Sequence, residues 1–226
     1  MAITPEEFAE HYPKLYHMAD VGSWDSILAN GLLSTTALLD LFDITGDRRD
    51  VIELRHRPES VPIIHPVQGH ATIRDQKPMR ESALKACLTD MTPRQWFRYL
   101  NGRVFFWVTE ERVQTLLNAR AYRDQIHTVI TIDTSTFMNR HANRTLLSPI
   151  NSGSTIYKPV ERGSRTFRPF GEYPFDERRK ARGLANAIAE VAVEYAVHDI
   201  RDLALKVELR QQDRILDVVF RAPHRY

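Results

Sequence analysis

Apolar residues along this chain fall into a helical rhythm through most of the first half and a strand-like rhythm through most of the second. Trp24, Ile27 and Leu28 stand at i, i+3 and i+4 and so share one face of a short helix, which Ser23 is placed to cap and Gly31 to end. Before that helix, Leu15-Tyr16-His17-Met18 reads as a strand that ends in polar residues near the surface. After it, Leu32-Leu33-Ser34-Thr35 reads as a second extended piece, and a further helix begins near Thr36. Strand, helix and extended segment make a compact unit with a cleft between its two extended parts. The rest of the chain is read as arranged around it.

Further helices are expected at Pro5 to His11 with Thr4 as cap, at Met79 to Leu88, at Thr92 to Leu100, after Thr109, and from Glu177 to Ala189. Arg103 to Val108 is dense in β-branched and aromatic residues and reads as a buried strand. His127 to Asp133, Glu190 to Val197, Leu203 to Leu209 and Ile215 to Phe220 are the remaining strands. Residues 43–70 and 157–176 carry scattered Gly and Pro with little period, so both read as long loops or lids, the first with one short strand at Val61 to Ile64. There is no regular alternation of strand and helix. The pattern therefore predicts an α+β fold, one domain over residues 1–226 with a split, mixed or antiparallel sheet and flanking helices.

Composition narrows this little. A chain of 226 residues, 42% hydrophobic, buries one sizeable core. Its 31 basic and 29 acidic residues nearly cancel, so any contact with nucleic acid must come from local patches. A single cysteine, Cys87, rules out an intramolecular disulfide framework or a multi-cysteine zinc site, and suits a reducing compartment. The acidic amino terminus lacks an apolar signal region and no apolar run approaches membrane-spanning length. A cytoplasmic protein with no membrane association and no metal is expected.

Period-two geometry places Glu190, Ala192, Glu194 and Ala196 on one strand face, where small alanines beside two carboxylates leave room for something to approach the sheet. An amphipathic strand with exposed acids is the plainer reading. Taken alone, Arg74-Asp75 reads as a local ion pair. Arg165, Arg178 and Arg179 belong to a basic segment placed before the Glu190 strand, fitted either to hold a phosphate backbone or to solubilise a helix.

These pieces, in this order, resemble the DarT-like ADP-ribosyltransferases, toxins that modify DNA bases. The resemblance rests on His17 with Ser26, Ile27, Gly31, Leu32, Leu33 and Ser34, then Arg74, the aromatic strand, and Ala189-Glu190 opening a hydrophobic strand. It spans about Leu15 to Glu208. It implies an ADP-ribosyltransferase-like fold, NAD as substrate, His17, Ser34, Arg74 and Trp107 on that substrate, and Glu190 and Arg74 as catalytic residues, with Glu194 in reserve for the acid and Arg55, Arg57 or Arg80 as substitutes for Arg74 on the phosphates. It further implies a nucleic-acid acceptor, a toxin or defence role and a possible antitoxin or immunity protein. Hydrolysis of NAD, transfer to protein, and a non-catalytic binding module are the alternatives. The 74–78 and 151–155 segments depart from DarT itself, which points to a sister group with its own acceptor.

Overall fold

The computed structural model describes residues 1–156 and 159–223. The first helix, α1 (Pro5–His11), is closed by a capping box in which Thr4 Oγ1 accepts from Glu7 N while the Glu7 carboxylate accepts from Thr4 N. It leads into β1 (Lys14–Asp20), α2 (Trp24–Asn30), β2 (Leu32–Leu33), α3 (Thr35–Leu41), α4 (Gly46–Leu54) and the hairpin β3 (Val61–His65) and β4 (Gly69–Ile73). Next come α5 (Glu81–Cys87), α6 (Pro93–Asn101), β5 (Arg103–Trp107), α7 (Glu110–Leu117), β6 (His127–Asp133), α8 (Thr134–His141) and β7 (Thr145–Ser148). The chain closes with α9 (Phe175–Arg182), α10 (Leu184–Ala187), β8 (Glu190–Glu194), β9 (Ala196–Val197), α11 (Ile200–Leu203), β10 (Ala204–Gln211) and β11 (Arg214–Arg221).

Seven strands form one sheet in the order β11-β10-β6-β1-β5-β8-β7, and every neighbouring pair is antiparallel. β1 runs beside β6 from Lys14↔Asp133 to Asp20↔His127, and β5 beside β8 from Arg103↔Glu194 to Trp107↔Glu190. Between these two halves β1 and β5 meet at a single pair, Tyr16↔Trp107. The sheet therefore parts along this seam, and the free Phe105 carbonyl is taken by His17 Nδ1 at 2.8 Å instead of by a neighbouring strand.

Alternation fixes which side chains build the main core. Val104 and Phe106, Ile130 and Ile132, and Val191 and Val193 all point to one face, where they meet Phe8 of α1 and Phe137 of α8. The opposite face is covered by Trp96, Phe97 and Leu100 of α6 in one patch and by Val113 and Leu117 of α7 in another. The result is an α+β domain with a mostly antiparallel sheet and flanking helices. Among the described residues, no helix is long and apolar enough to cross a membrane.

Four expectations are corrected. Residues 43–70 are not a loop: they hold α4 and most of the β3–β4 hairpin, which share a core of their own with Leu39, Phe42, Ile52, Ile63 and Ile73. Ser23 has helical backbone and donates its hydroxyl to Asp20 O instead of capping α2. The 177–189 helix breaks at Gly183 (φ +74°) into α9 and α10. The 190–197 strand breaks at Tyr195 (φ +64°), where the chain leaves the main sheet so that β9 can pair with β2. Within the expected 157–176 loop, residues 157–158 lie outside the described residues, and the remainder carries two short 3₁₀ turns.

Candidate active site

A cavity of about 420 Å³ opens at the seam, bounded by the end of β1, the α2–β2–α3 turn, β4 with the 74–76 segment, β5, the 151–153 turn and the first residue of β8. His17, Ser34, Arg74, Trp107 and Glu190 all line it. Arg165, Arg178 and Arg179 do not, and neither does Glu194.

Glu190 is 4% exposed. Its Oε2 accepts from Ser152 N at 3.0 Å and from Ser152 Oγ at 2.7 Å, whereas no described residue bonds Oε1. Burial pushes its pKa up to about 7; the two Ser152 bonds and the charges of Arg112 and Arg162 pull the other way. Glu194 shares its strand face but is exposed, outside the cavity and paired with Arg103 at 3.1 Å. The intervening Ala192 leaves no room for an approaching molecule, because Trp96, Phe97 and Phe167 pack in the cluster that buries it completely.

His17 is fixed in one tautomer. A carbonyl oxygen only accepts, so Nδ1 donates its proton to Phe105 O and Nε2 is left as an acceptor. Burial, reinforced by the charge of Arg74, outweighs the carbonyl bond and lowers its pKa to about 4, so the ring is neutral at neutral pH. Ser34 is the cap of α3: its Oγ accepts from Ala37 N at 3.1 Å and its N donates to Tyr195 O at 2.8 Å. Trp107 stands opposite Glu190 on β8 and Tyr16 on β1, at the point where the seam opens.

Arg74 donates Nη1 to Met18 O at 2.9 Å, and its guanidinium lies 5.0 Å above the Tyr122 ring centre. Burial lowers its pKa. Asp75 does not pair with it, since Oδ1 takes the Tyr122 hydroxyl at 2.7 Å and Lys77 N at 3.0 Å. Arg57 holds Arg74 in place, donating Nε to Arg74 O at 2.8 Å and Nη2 to Asn101 Oδ1 at 3.2 Å, so its own guanidinium is committed. Arg55 and Arg80 do not line the cavity.

Gly31 explains why the turn after α2 needs glycine. Its φ is +88°, and a Cβ would lie 2.6 Å from His198 Cα. Sequence reasoning missed Ser152, Tyr122 and Asn101 as site residues. The Asn151-Ser152-Gly153 run signals a turn, but nothing in it names the carboxylate that its serine will hold. Arg178 ties the backbone together, with Nε donating to Ala187 O at 3.0 Å and Nη2 to Pro149 O at 3.2 Å. Arg165 and Arg179 are exposed.

Fold and site together define an α+β domain in which a buried carboxylate, Glu190, an arginine, Arg74, and a neutral histidine, His17, gather in one cavity at a parted antiparallel sheet. Residues 13–204 match a family of unknown function, DUF7002, and the chain belongs to that family. The matched span includes every cavity residue named above and ends at the start of β10. No curated protein matches the sequence.

Proposed function

We propose that this protein is an ADP-ribosyltransferase of DarT-like fold that takes NAD as substrate and a nucleic-acid base as acceptor, in a toxin or defence role. The observation that carries this reading is Glu190: a buried carboxyl with one oxygen locked by Ser152 and the other bonded by no described residue, in the cavity that also holds His17 and Arg74. The cavity volume, about 420 Å³, falls within the range of small-molecule sites.

In NAD the bond between nicotinamide and its ribose breaks with the electron pair going to nicotinamide, and the acceptor's nucleophile replaces it on the sugar. Glu190 is suited to steady the positive charge that develops there, and Oε1 to accept a ribose hydroxyl or the proton that the acceptor releases. A guanidinium with nitrogens left over after its bond to Met18 suits a pyrophosphate, the role assigned to Arg74. The neutral His17 offers Nε2 to a hydroxyl donor. Trp107 presents an aromatic surface beside Glu190 for the nicotinamide ring.

Incubating the protein with NAD and, in turn, with DNA, RNA and protein pools tests the proposal. Nicotinamide release together with ADP-ribose on the nucleic-acid pool, detected by mass spectrometry, is the expected result. Labelling of the protein pool alone, or release with no labelled acceptor, rejects the nucleic-acid assignment. No release from any pool rejects the transferase.

A further inference from the structure

We propose that Arg162 is a positioning residue for Glu190, acting through the 151–155 turn to keep Ser152 on the carboxylate. Its kinetic consequence rests on the transferase reading; its effect on Glu190 itself does not.

Arg162 is 3% exposed, yet its guanidinium forms no ion pair with any described carboxylate. It is instead spent on three carbonyls: Nη1 donates to Ser152 O at 3.0 Å and Ser154 O at 2.8 Å, and Nε to Val160 O at 3.1 Å. Burying a guanidinium is costly, and closing a surface turn does not require it. The backbone of Arg162 is itself anchored, with N bonded to Cys87 O at 2.9 Å and O accepting from Thr89 N at 3.0 Å. At the far end of the turn Thr155 N donates to Pro78 O, and Thr155 Oγ1 accepts from Arg80 N. Ser152 is thus held between two fixed points, from which its N and Oγ both reach one oxygen of Glu190. Those two bonds favour the ionised carboxylate against the burial that disfavours it. The charged groups acting on Glu190 are Arg162 itself and Arg112 of α7.

The test is the titration of the Glu190 carboxyl by ¹³C NMR, assigned by its loss in Glu190→Gln, in Arg162→Met, Arg162→Lys, Ser152→Ala and the Ser152→Ala/Arg162→Met double variant. Arg162→Met should raise the midpoint by about one pH unit, which takes the ionised fraction at pH 7 from about one half to about one tenth. Ser152→Ala should act in the same direction. The double variant should shift by less than the sum of the two singles, because the route through Ser152 is shared and only the direct charge of Arg162 is lost in addition. The acidic limb of the pH–rate profile for NAD should move with the midpoint. An unmoved midpoint in folded Arg162→Met, or shifts that simply add in the double variant, overturns the proposal. If Arg162→Met does not fold, Arg162→Lys carries the test, since a lysine cannot reproduce the fork and an unchanged midpoint there overturns it equally. Shifted midpoints with no NAD turnover by the unmodified protein reject the transferase and keep the positioning role.

Discussion

Glu190 sets the chemistry at the scale of a single residue. If the carboxylate stabilises the reacting sugar, Glu190→Gln should lower NAD turnover by roughly a hundredfold to a thousandfold while NAD still binds. Glu194→Gln should leave turnover near the starting value, because that side chain is exposed and outside the cavity. Turnover should rise with pH through about 7 as Glu190 ionises. Stability should move in the opposite direction. The folded pKa is raised from the ordinary 4.5 to about 7, so between these values the unfolded chain gives up a proton that the folded chain keeps, and stability falls as pH rises. Urea unfolding should show Glu190→Gln more stable than the unmodified protein at pH 8, by up to about 3 kcal/mol, with the difference closing towards pH 4. Glu190 itself was legible as the head of an alternating strand. Its environment was not, because a period of two says which face a side chain takes and nothing about what lies on that face. Ala192 stands on the same face as Glu190 yet lies beneath aromatic rings.

Elements with a strong local signal were readable, and those held by tertiary contacts were not. Thr4 and Pro5, and likewise Thr92 and Pro93, mark helix starts that the structure realises as complete capping boxes. The helix α4 has no such signal. It turns Ile52, Glu53 and Leu54 inward, and Glu53 is accepted there only because the Arg49 guanidinium and the Thr36 hydroxyl reach it. A carboxylate in the buried stripe erases the apolar period that a sequence reading needs. The seam between β1 and β5 was legible only as the expectation of a split, since the pairing that stops after one residue pair leaves no mark in composition. Gly31 is the element-scale residue with the sharpest consequence. Gly31→Ala requires a left-handed backbone and places a methyl group 2.6 Å from a backbone carbon, so a loss of about 2 kcal/mol or more is expected from chemical denaturation. The contacts of β2 with β9 should loosen with it.

The whole molecule has a formal charge of +2, so no global field draws a polyanion to it. If single-stranded nucleic acid is the acceptor, binding must fall steeply with salt and depend on exposed arginines. Arg165→Glu and Arg179→Glu should weaken it at little cost to stability, whereas Arg178→Glu should destabilise the fold because it cuts the ties to Ala187 and Pro149. Binding that ignores both salt and the first two reversals points away from nucleic acid. The same scale offers a test of the cavity that needs no acceptor. The two halves of the sheet are joined by one residue pair and the His17–Phe105 bond, and the proposed NAD contacts come from both sides: His17 on β1, Trp107 on β5 and Glu190 on β8. A ligand spanning them binds the closed seam and not the unfolded chain, so NAD at about a hundred times its dissociation constant should add about 2.7 kcal/mol and raise the melting temperature. Amide hydrogen exchange should slow at Phe105 to Trp107, beside the parted seam, more than along β6, whose pairing with β1 is already continuous. His17→Ala should reduce both effects, since it removes a ligand contact and the bond that bridges the seam. Glu190→Gln should retain them, since NAD binding is expected to survive the loss of that charge. An NAD-induced rise in melting temperature with no slowing at the seam would place the dinucleotide elsewhere on the molecule, and no rise at all would remove NAD from this cavity.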